Sequence, residues 1–256
     1  MGIVNRNEFF LLEELVKKNF ASKYKGSVIG IFWSLLKPLM IMILLTIIFS
    51  TIFGNQIENY PVYFLTGKCI FDFFSAGTTS TMLSIKGNEN ILKKTAPPKH
   101  VFVIAGVVSE FINFLITIAI LIFVMVVTNI HFNFITIPLS IFPLISLFTM
   151  ITGIGLILSI FCVYYKDIQH LWGVLILMLM YASAIFYPMD IIPEPFHTYM
   201  ALNPIFWIID QVRDLTMYGV IPNYLNLINS MLFSLIILII GIIIFKIYEH
   251  KVTMKF

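Results

Sequence analysis

Six segments of this chain, at residues 31–53, 62–84, 101–128, 138–165, 171–189 and 225–248, are long and apolar enough to cross a bilayer core, which takes about 20 residues of helix. That pattern restricts the chain to a multi-span membrane protein. Composition points the same way, with 59% apolar and only 11% charged residues, far from the balance of a soluble domain. Barrel strands would be about 10 residues long with alternating polarity. No segment alternates in that way, so the fold class is all-α integral membrane. No cleaved signal peptide is expected, because Glu8, Glu13 and Glu14 interrupt everything ahead of the first apolar span.

Charge placement orients the spans, since Lys and Arg near span ends accumulate on the cytoplasmic side. Arg6, Lys17, Lys18, Lys23, Lys25 and Lys37 precede or open the first span, and Lys86, Lys93, Lys94 and Lys99 lie between the second and third. Lys166 falls between the fourth and fifth, and Lys246, Lys251 and Lys255 close the chain. These are 14 of the 16 basic residues. The exceptions are Lys68, inside the second span, and Arg213, in the last outer loop. Six spans with both termini in the cytoplasm is the expected topology. The net charge of +3 is then an orientation effect, and no nucleic-acid partner is expected. Cys69 and Cys162 lie within apolar spans, which argues against a disulfide framework or a metal site.

Ahead of the first span, Phe9, Leu12, Val16 and Phe20 recur at helical spacing with Glu13, Glu14, Lys17 and Lys18 between them. This predicts an amphipathic helix, lying in the inner interface or packed on a partner. The longest polar cytoplasmic connection, IKGNENILKKTAPPKH at 85–100, predicts a short helix stopped by proline. A second connection, YYKDIQH at 164–170, is a tight helix-to-helix turn. On the outer side, residues 190–223 carry Pro193, Pro195, Pro204 and Pro222. Short helices that dip into the membrane and return, or an external cap, both fit this punctuation.

The chemistry is sparse. No GxxxxGK[ST] phosphate loop, HExxH or GxSxG occurs, and the five histidines are scattered. Three charges fall inside spans, where each costs about 2.5–3.5 kcal/mol. Lys68 and Asp72, four apart, suit either pairing along one helix face or a hydrophilic pore lining. Glu110, with Asn113 on the same side, suits a buried polar contact between spans or, more sharply, a proton-coupling carboxylate. Asp190, Glu194, Asp210 and Asp214, with Arg213, form the only grouping like a catalytic carboxylate set. Asp210 and Asp214 at helical spacing beside Arg213 read more simply as a solvated face. The 25 Phe, 11 Tyr and 3 Trp can stack on sugar rings, yet lipid contact and interfacial belts account for most of them. Gly26 and Gly30 make GxxxG, and Gly153 and Gly155 thin the fourth span, allowing close helix approach between or within chains.

Four motifs in order then carry a resemblance: KYKGSVIGIFWSLLKP at 23–38, KTAPPKHVFV at 94–103, YYKDI at 164–168 and ALNPI at 201–205. Together they make the chain similar, over essentially its whole length, to permease subunits of type-two ABC exporters for lipid-linked polysaccharides. Examples are the O-antigen (Wzm-type), teichoic acid (TagG-type) and capsular polysaccharide permeases. Lys37 departs from that pattern, standing where an uncharged residue usually precedes the proline.

The resemblance implies one permease domain over 1–256, with an interfacial helix and inner mouth at 1–30, a six-helix membrane region at 31–248 and a cytoplasmic tail at 249–256. It implies a homodimer enclosing a pore in the inner, cytoplasmic membrane, with two separate ATP-binding cassette subunits that hold the ATP and Mg; no cofactor is expected on this chain. Glu89, Asn90, Ile91, Leu92, Lys93, Lys94 and Thr95 would form the coupling helix, with Tyr165, Lys166 and Asp167 as a second ATPase contact. Residues 191–215, including Pro193, Pro195, Asn203 and Pro204, would form a re-entrant outer gate. Lys23, Lys25, Trp33 and Lys37 would receive the substrate at the inner mouth, with Lys68, Asp72 and Glu110 as pore or polar-contact residues. A drug or small-lipid exporter of the same superfamily, a membrane enzyme acting on lipid-linked sugars and a proton-driven carrier remain the alternatives.

Overall fold

The computed structural model describes residues 6–25, 30, 32–53, 57, 59–95, 97–130, 133 and 135–253. Gly26 of the GxxxG pair, Ile31 at the start of the first predicted span, and residues 254–256 of the predicted tail lie outside them. Every regular element among the described residues is helical. In chain order these are α1 (Arg6–Tyr24), α2 (Phe32–Phe53), α3 (Tyr60–Ser84), α4 (Glu89–Thr95), α5 (His100–Val127), α6 (Thr136–Leu139) and α7 (Ile141–Tyr164). They continue with α8 (Ile168–Tyr181), α9 (Glu194–Ala201), α10 (Pro204–Arg213) and α11 (Tyr224–Thr253).

Four of these regions are long and apolar enough to cross a membrane: Phe32–Phe49, His100–Val127, Thr136–Tyr164 and Tyr224–Lys251. α3 matches them in length, but its Lys68, Asp72 and run of Thr and Ser make it less apolar. The segment expected to span at 171–189 differs more. Its helix, α8, is 14 residues long, about 21 Å at 1.5 Å per residue, short of a bilayer core of about 30 Å. The chain leaves helical geometry at Ala182 and runs through Ala184 with φ of 47°. The apolar run at 138–165 also begins differently, as α6 followed by α7 with Ser140 between them.

The core is built around α3, whose face of Phe64, Phe71, Phe73 and Phe74 is buried against α5, α7 and α10. Helices α7 and α11 make the most extensive pairing, and glycine explains it. A Cβ on Gly153 would stand 2.7 Å from the Leu238 backbone nitrogen, and one on Gly241 would stand 2.5 Å from the Gly153 carbonyl oxygen. The two backbones touch, as small residues allow between helices in lipid. By contrast α2 rests lightly on α3 and α5: Met42 is its one buried side chain among the described residues.

A second apolar cluster gathers Leu15 of α1, Ile85, Leu92 of α4, Val101 and Phe102 of α5, Ile160 of α7 and Phe245 of α11. Ile91, Val163 and Tyr164 pack against it, which puts α4 and the α7–α8 turn at one end of the bundle. Lys99 also binds there, donating to the Glu249 backbone carbonyl. Burial lowers its pKa from the usual lysine value.

Candidate functional site

Gly30, shortly before α2, has a φ of 54°, which would strain any residue with a Cβ. α1 packs along α5, and a cavity of about 670 Å³ is lined by residues of α1, α2, α3 and α5. Its walls include Lys23 and Tyr24 from α1, Trp33, Ser34 and Lys37 from α2, Lys68, Asp72, Phe73 and Thr79 from α3, and Glu110, Asn113 and Phe114 from α5. Residues assigned from sequence to the inner mouth and to intraspan polar contacts thus line one space. Lys25 is exposed at the end of α1 and is not among the lining residues.

The polar contacts in this cavity are specific. Lys68 and Asp72 are bonded along α3, the i,i+4 geometry that their spacing permits. Lys23 Nζ lies 2.8 Å from Glu110 Oε2, and Glu110 is only 12% exposed. Asn113 donates to the same carboxylate oxygen at 3.1 Å, and its own side-chain oxygen accepts from the Tyr24 hydroxyl at 2.8 Å. Glu110 was expected to meet another span; its partner is instead the end of the N-terminal helix, 87 positions earlier. Tyr24, one residue beyond Lys23 in the first motif, is the participant that the sequence reading passed over.

At the end of the bundle that holds the second apolar cluster, α4 begins at Glu89 and ends at Thr95. Glu89 pairs with Lys93 at 2.6 Å. Leu92 is buried, while Asn90, Lys93 and Lys94 face outward. Lys18 of α1 donates to Asn88, just ahead of α4, at 2.8 Å, so α1 touches this end and the cavity alike. Tyr165, Lys166 and Asp167 form an exposed turn between α7 and α8.

The segment expected on the outer side folds from its prolines. Pro193 precedes α9, Pro195 falls in its first turn, and Pro204 starts α10, where a missing N–H costs nothing. Asn203 caps α10 by accepting from the Ile205 N–H at 3.1 Å, and its amide donates to the Ala182 carbonyl and the Ser183 hydroxyl.

Of the solvated face expected from Asp210 and Asp214 beside Arg213, Asp210 is exposed and Asp214 half-buried, while Arg213 points inward. It is 3% exposed and makes no ion pair among the described residues. Its guanidinium donates to the carbonyls of Ala184 at 3.0 Å, Tyr63 at 3.2 Å and Ile185 at 3.4 Å. It also lies 3.5 Å above the Tyr63 ring, a cation–π contact. The Tyr63 hydroxyl donates to the Ala184 and Tyr187 carbonyls, and Tyr60 to that of Phe186. Together these side chains supply hydrogen bonds to the non-helical backbone after α8. Arg213 is hydrogen-bonded to these carbonyls and forms no ion pair with Asp210 or Asp214 among the described residues.

The sequence matches the model of the ABC-2 type transporter family over residues 11–217. It is 30% identical over 249 residues to an O-antigen export system permease protein, RfbA, of Klebsiella pneumoniae, covering 95% of this chain and 93% of that one. An RfbA of Myxococcus xanthus is 25% identical over 198 residues, covering 76% of this chain and 75% of its own. The polysialic acid transport protein KpsM of Escherichia coli is 23% identical over 244 residues, covering 93% of each chain. A multi-helix membrane chain whose similarity runs almost from end to end with these permeases belongs to the ABC-2 type transporter family.

Proposed function

We propose that this chain is the membrane permease subunit of an ATP-driven exporter that moves lipid-linked cell-surface polysaccharide, such as O-antigen or a related glycan, out of the cytoplasm. The observation that carries this reading is the near full-length similarity to O-antigen export permeases. In this reading six segments cross the inner membrane with both termini cytoplasmic. α8 and the protein-covered backbone after it make the fifth crossing, and α1 lies in the inner interface. Two copies enclose the pore, and two separate ATP-binding cassette subunits hydrolyse ATP with Mg.

The cassette subunits dock on α4 and on the turn at Tyr165, Lys166 and Asp167. A push on α4 reaches α1 through the shared cluster of Leu92 and Leu15 and through the Lys18–Asn88 bond. From α1 it reaches the cavity through Lys23–Glu110. Lys23, Lys25 and Lys37 at the inner mouth attract the diphosphate of the lipid carrier. The outer gate at 191–215 opens last, and no substrate bond changes.

Native mass spectrometry of the tagged chain from its host tests this assembly. Two copies with two ATPase subunits are expected. Reversing charge at the docking helix with Glu89→Lys and Lys94→Glu is expected to cut ATPase recovery about tenfold or more, equivalent to roughly 1.4 kcal/mol of docking energy. Depletion of the chain is expected to trap glycan inside the cell. Unchanged surface glycan would instead favour a drug or small-lipid exporter, and a chain that never holds an ATPase subunit would defeat the proposal.

A further inference from the structure

The cavity contains three lysines and two carboxylates, and their pairing leaves one positive charge over. Lys23 is held by Glu110 at 2.8 Å, and Lys68 is bonded to Asp72. Lys37 lines the same space and has no ion pair or hydrogen bond among the described residues. An ammonium at the wall of a low-dielectric membrane protein is costly unless water or an anion meets it. The volume, about 670 Å³, falls within the range of small-molecule sites. Trp33, four residues before Lys37, adds an apolar ring on the same helix.

We infer that this cavity is an oxyanion-binding site read by Lys37, taking a phosphate or carboxylate group of the exported molecule. The inference rests on the exporter reading and sharpens it. Of the three lysines at the inner mouth, Lys25 is not in the cavity wall and Lys23 is already committed to Glu110. The contact therefore falls to Lys37, and Glu110 acts as the resident competitor for Lys23. An oxyanion in the cavity has two sources, the diphosphate of a polyprenyl carrier or an acidic sugar of the glycan.

Equilibrium binding to the whole complex, chain plus ATPase subunits in lipid nanodiscs, separates them. The probes are a polyprenyl diphosphate against the matching polyprenol, and a glucuronate oligosaccharide against a neutral glucose oligosaccharide of equal length. At least one anionic probe is expected to bind about tenfold tighter than its neutral counterpart, a difference of roughly 1.4 kcal/mol. Lys37→Gln is expected to erase that preference, and Lys37→Arg to keep it. Glu110→Gln, by releasing Lys23, is expected to strengthen it, and Lys246→Gln, on the exposed end of α11, to leave it unchanged. A preference confined to the diphosphate assigns the site to the lipid headgroup; one confined to glucuronate assigns it to the sugar. Co-purification of each variant with the ATPase subunits verifies folding. No preference for either anion, or a preference that survives in Lys37→Gln, overturns the site. If depletion traps glycan while Lys37→Gln keeps its preference, the site falls and the exporter reading stands. If depletion leaves surface glycan unchanged, the exporter reading falls whatever the probes do.

Discussion

Arg213→Met is expected to lower stability by about 2–4 kcal/mol, since each buried polar group left without a partner costs about 1–3 kcal/mol. The Ile185 carbonyl loses its side-chain donor, Ala184 keeps only the Tyr63 hydroxyl, and the cation over the Tyr63 ring disappears. Relief of the guanidinium's own desolvation offsets part of this loss. Thermal unfolding of the purified complex should fall by about 5 °C or more. Arg213→Lys should recover only a fraction, because one ammonium cannot reproduce a planar fork that serves separate carbonyls. Gly67→Ala should imitate the defect from the other side, since its Cβ would lie 2.7 Å from Arg213 Nη2. A methionine variant that melts with the wild type would show that the backbone after α8 is held by other means.

Gly153→Val is expected to be the most damaging change in the helical bundle. Its side chain would meet the Leu238 nitrogen at 2.7 Å and the Ile237 carbonyl group at 2.8 Å. These obstacles are backbone, so no rotamer relieves the clash, and α7 and α11 must separate along their longest contact. Overpacking in flexible cores costs about 1–3 kcal/mol, and a backbone obstacle sets the expectation at or above the top of that range. Gly241→Val should behave alike, its Cβ 2.5 Å from the Gly153 oxygen. Gly173→Ala, with nothing within 4 Å, should leave the yield of folded protein unchanged. Folded yield in mild detergent, read by size-exclusion profile, decides the matter; a normal yield for Gly153→Val would refute the close approach.

The sequence revealed what depends on nearby residues and concealed what depends on distant ones. Lys68–Asp72 and Glu110–Asn113 were legible because residues three or four apart share a helix face. The same rule misled at Arg213, which turns inward beside an exposed Asp210 and a half-buried Asp214. Nothing local announces that carbonyls 150 and 29 positions away converge on Arg213. One clue was present: Arg213 is the lone basic residue of the loops expected outside, and a cation that breaks the charge asymmetry needs a reason. The early end of α8 was hidden similarly, since residues 182–187 contain no proline or glycine and the side chains that bond to them, Asn203, Tyr60, Tyr63 and Arg213, come from distant positions. Gathering Lys23, Lys37, Lys68 and Glu110 around one cavity required α1 to pack against α5, and no local spacing announces which helix α1 meets.

The thin anchorage of α2 has a consequence for cargo size. Because only Met42 of that helix is buried among the described residues while Met40, Ile43, Leu44 and Ile47 stay exposed, swinging α2 away breaks few contacts compared with parting α7 from α11. The wall that carries Trp33 and Lys37 can therefore act as a flap between oil and water. On the proposed exporter reading, a headgroup would slide in sideways with its greasy tail still dissolved among the lipids, and the tail would never have to thread a hole of about 670 Å³.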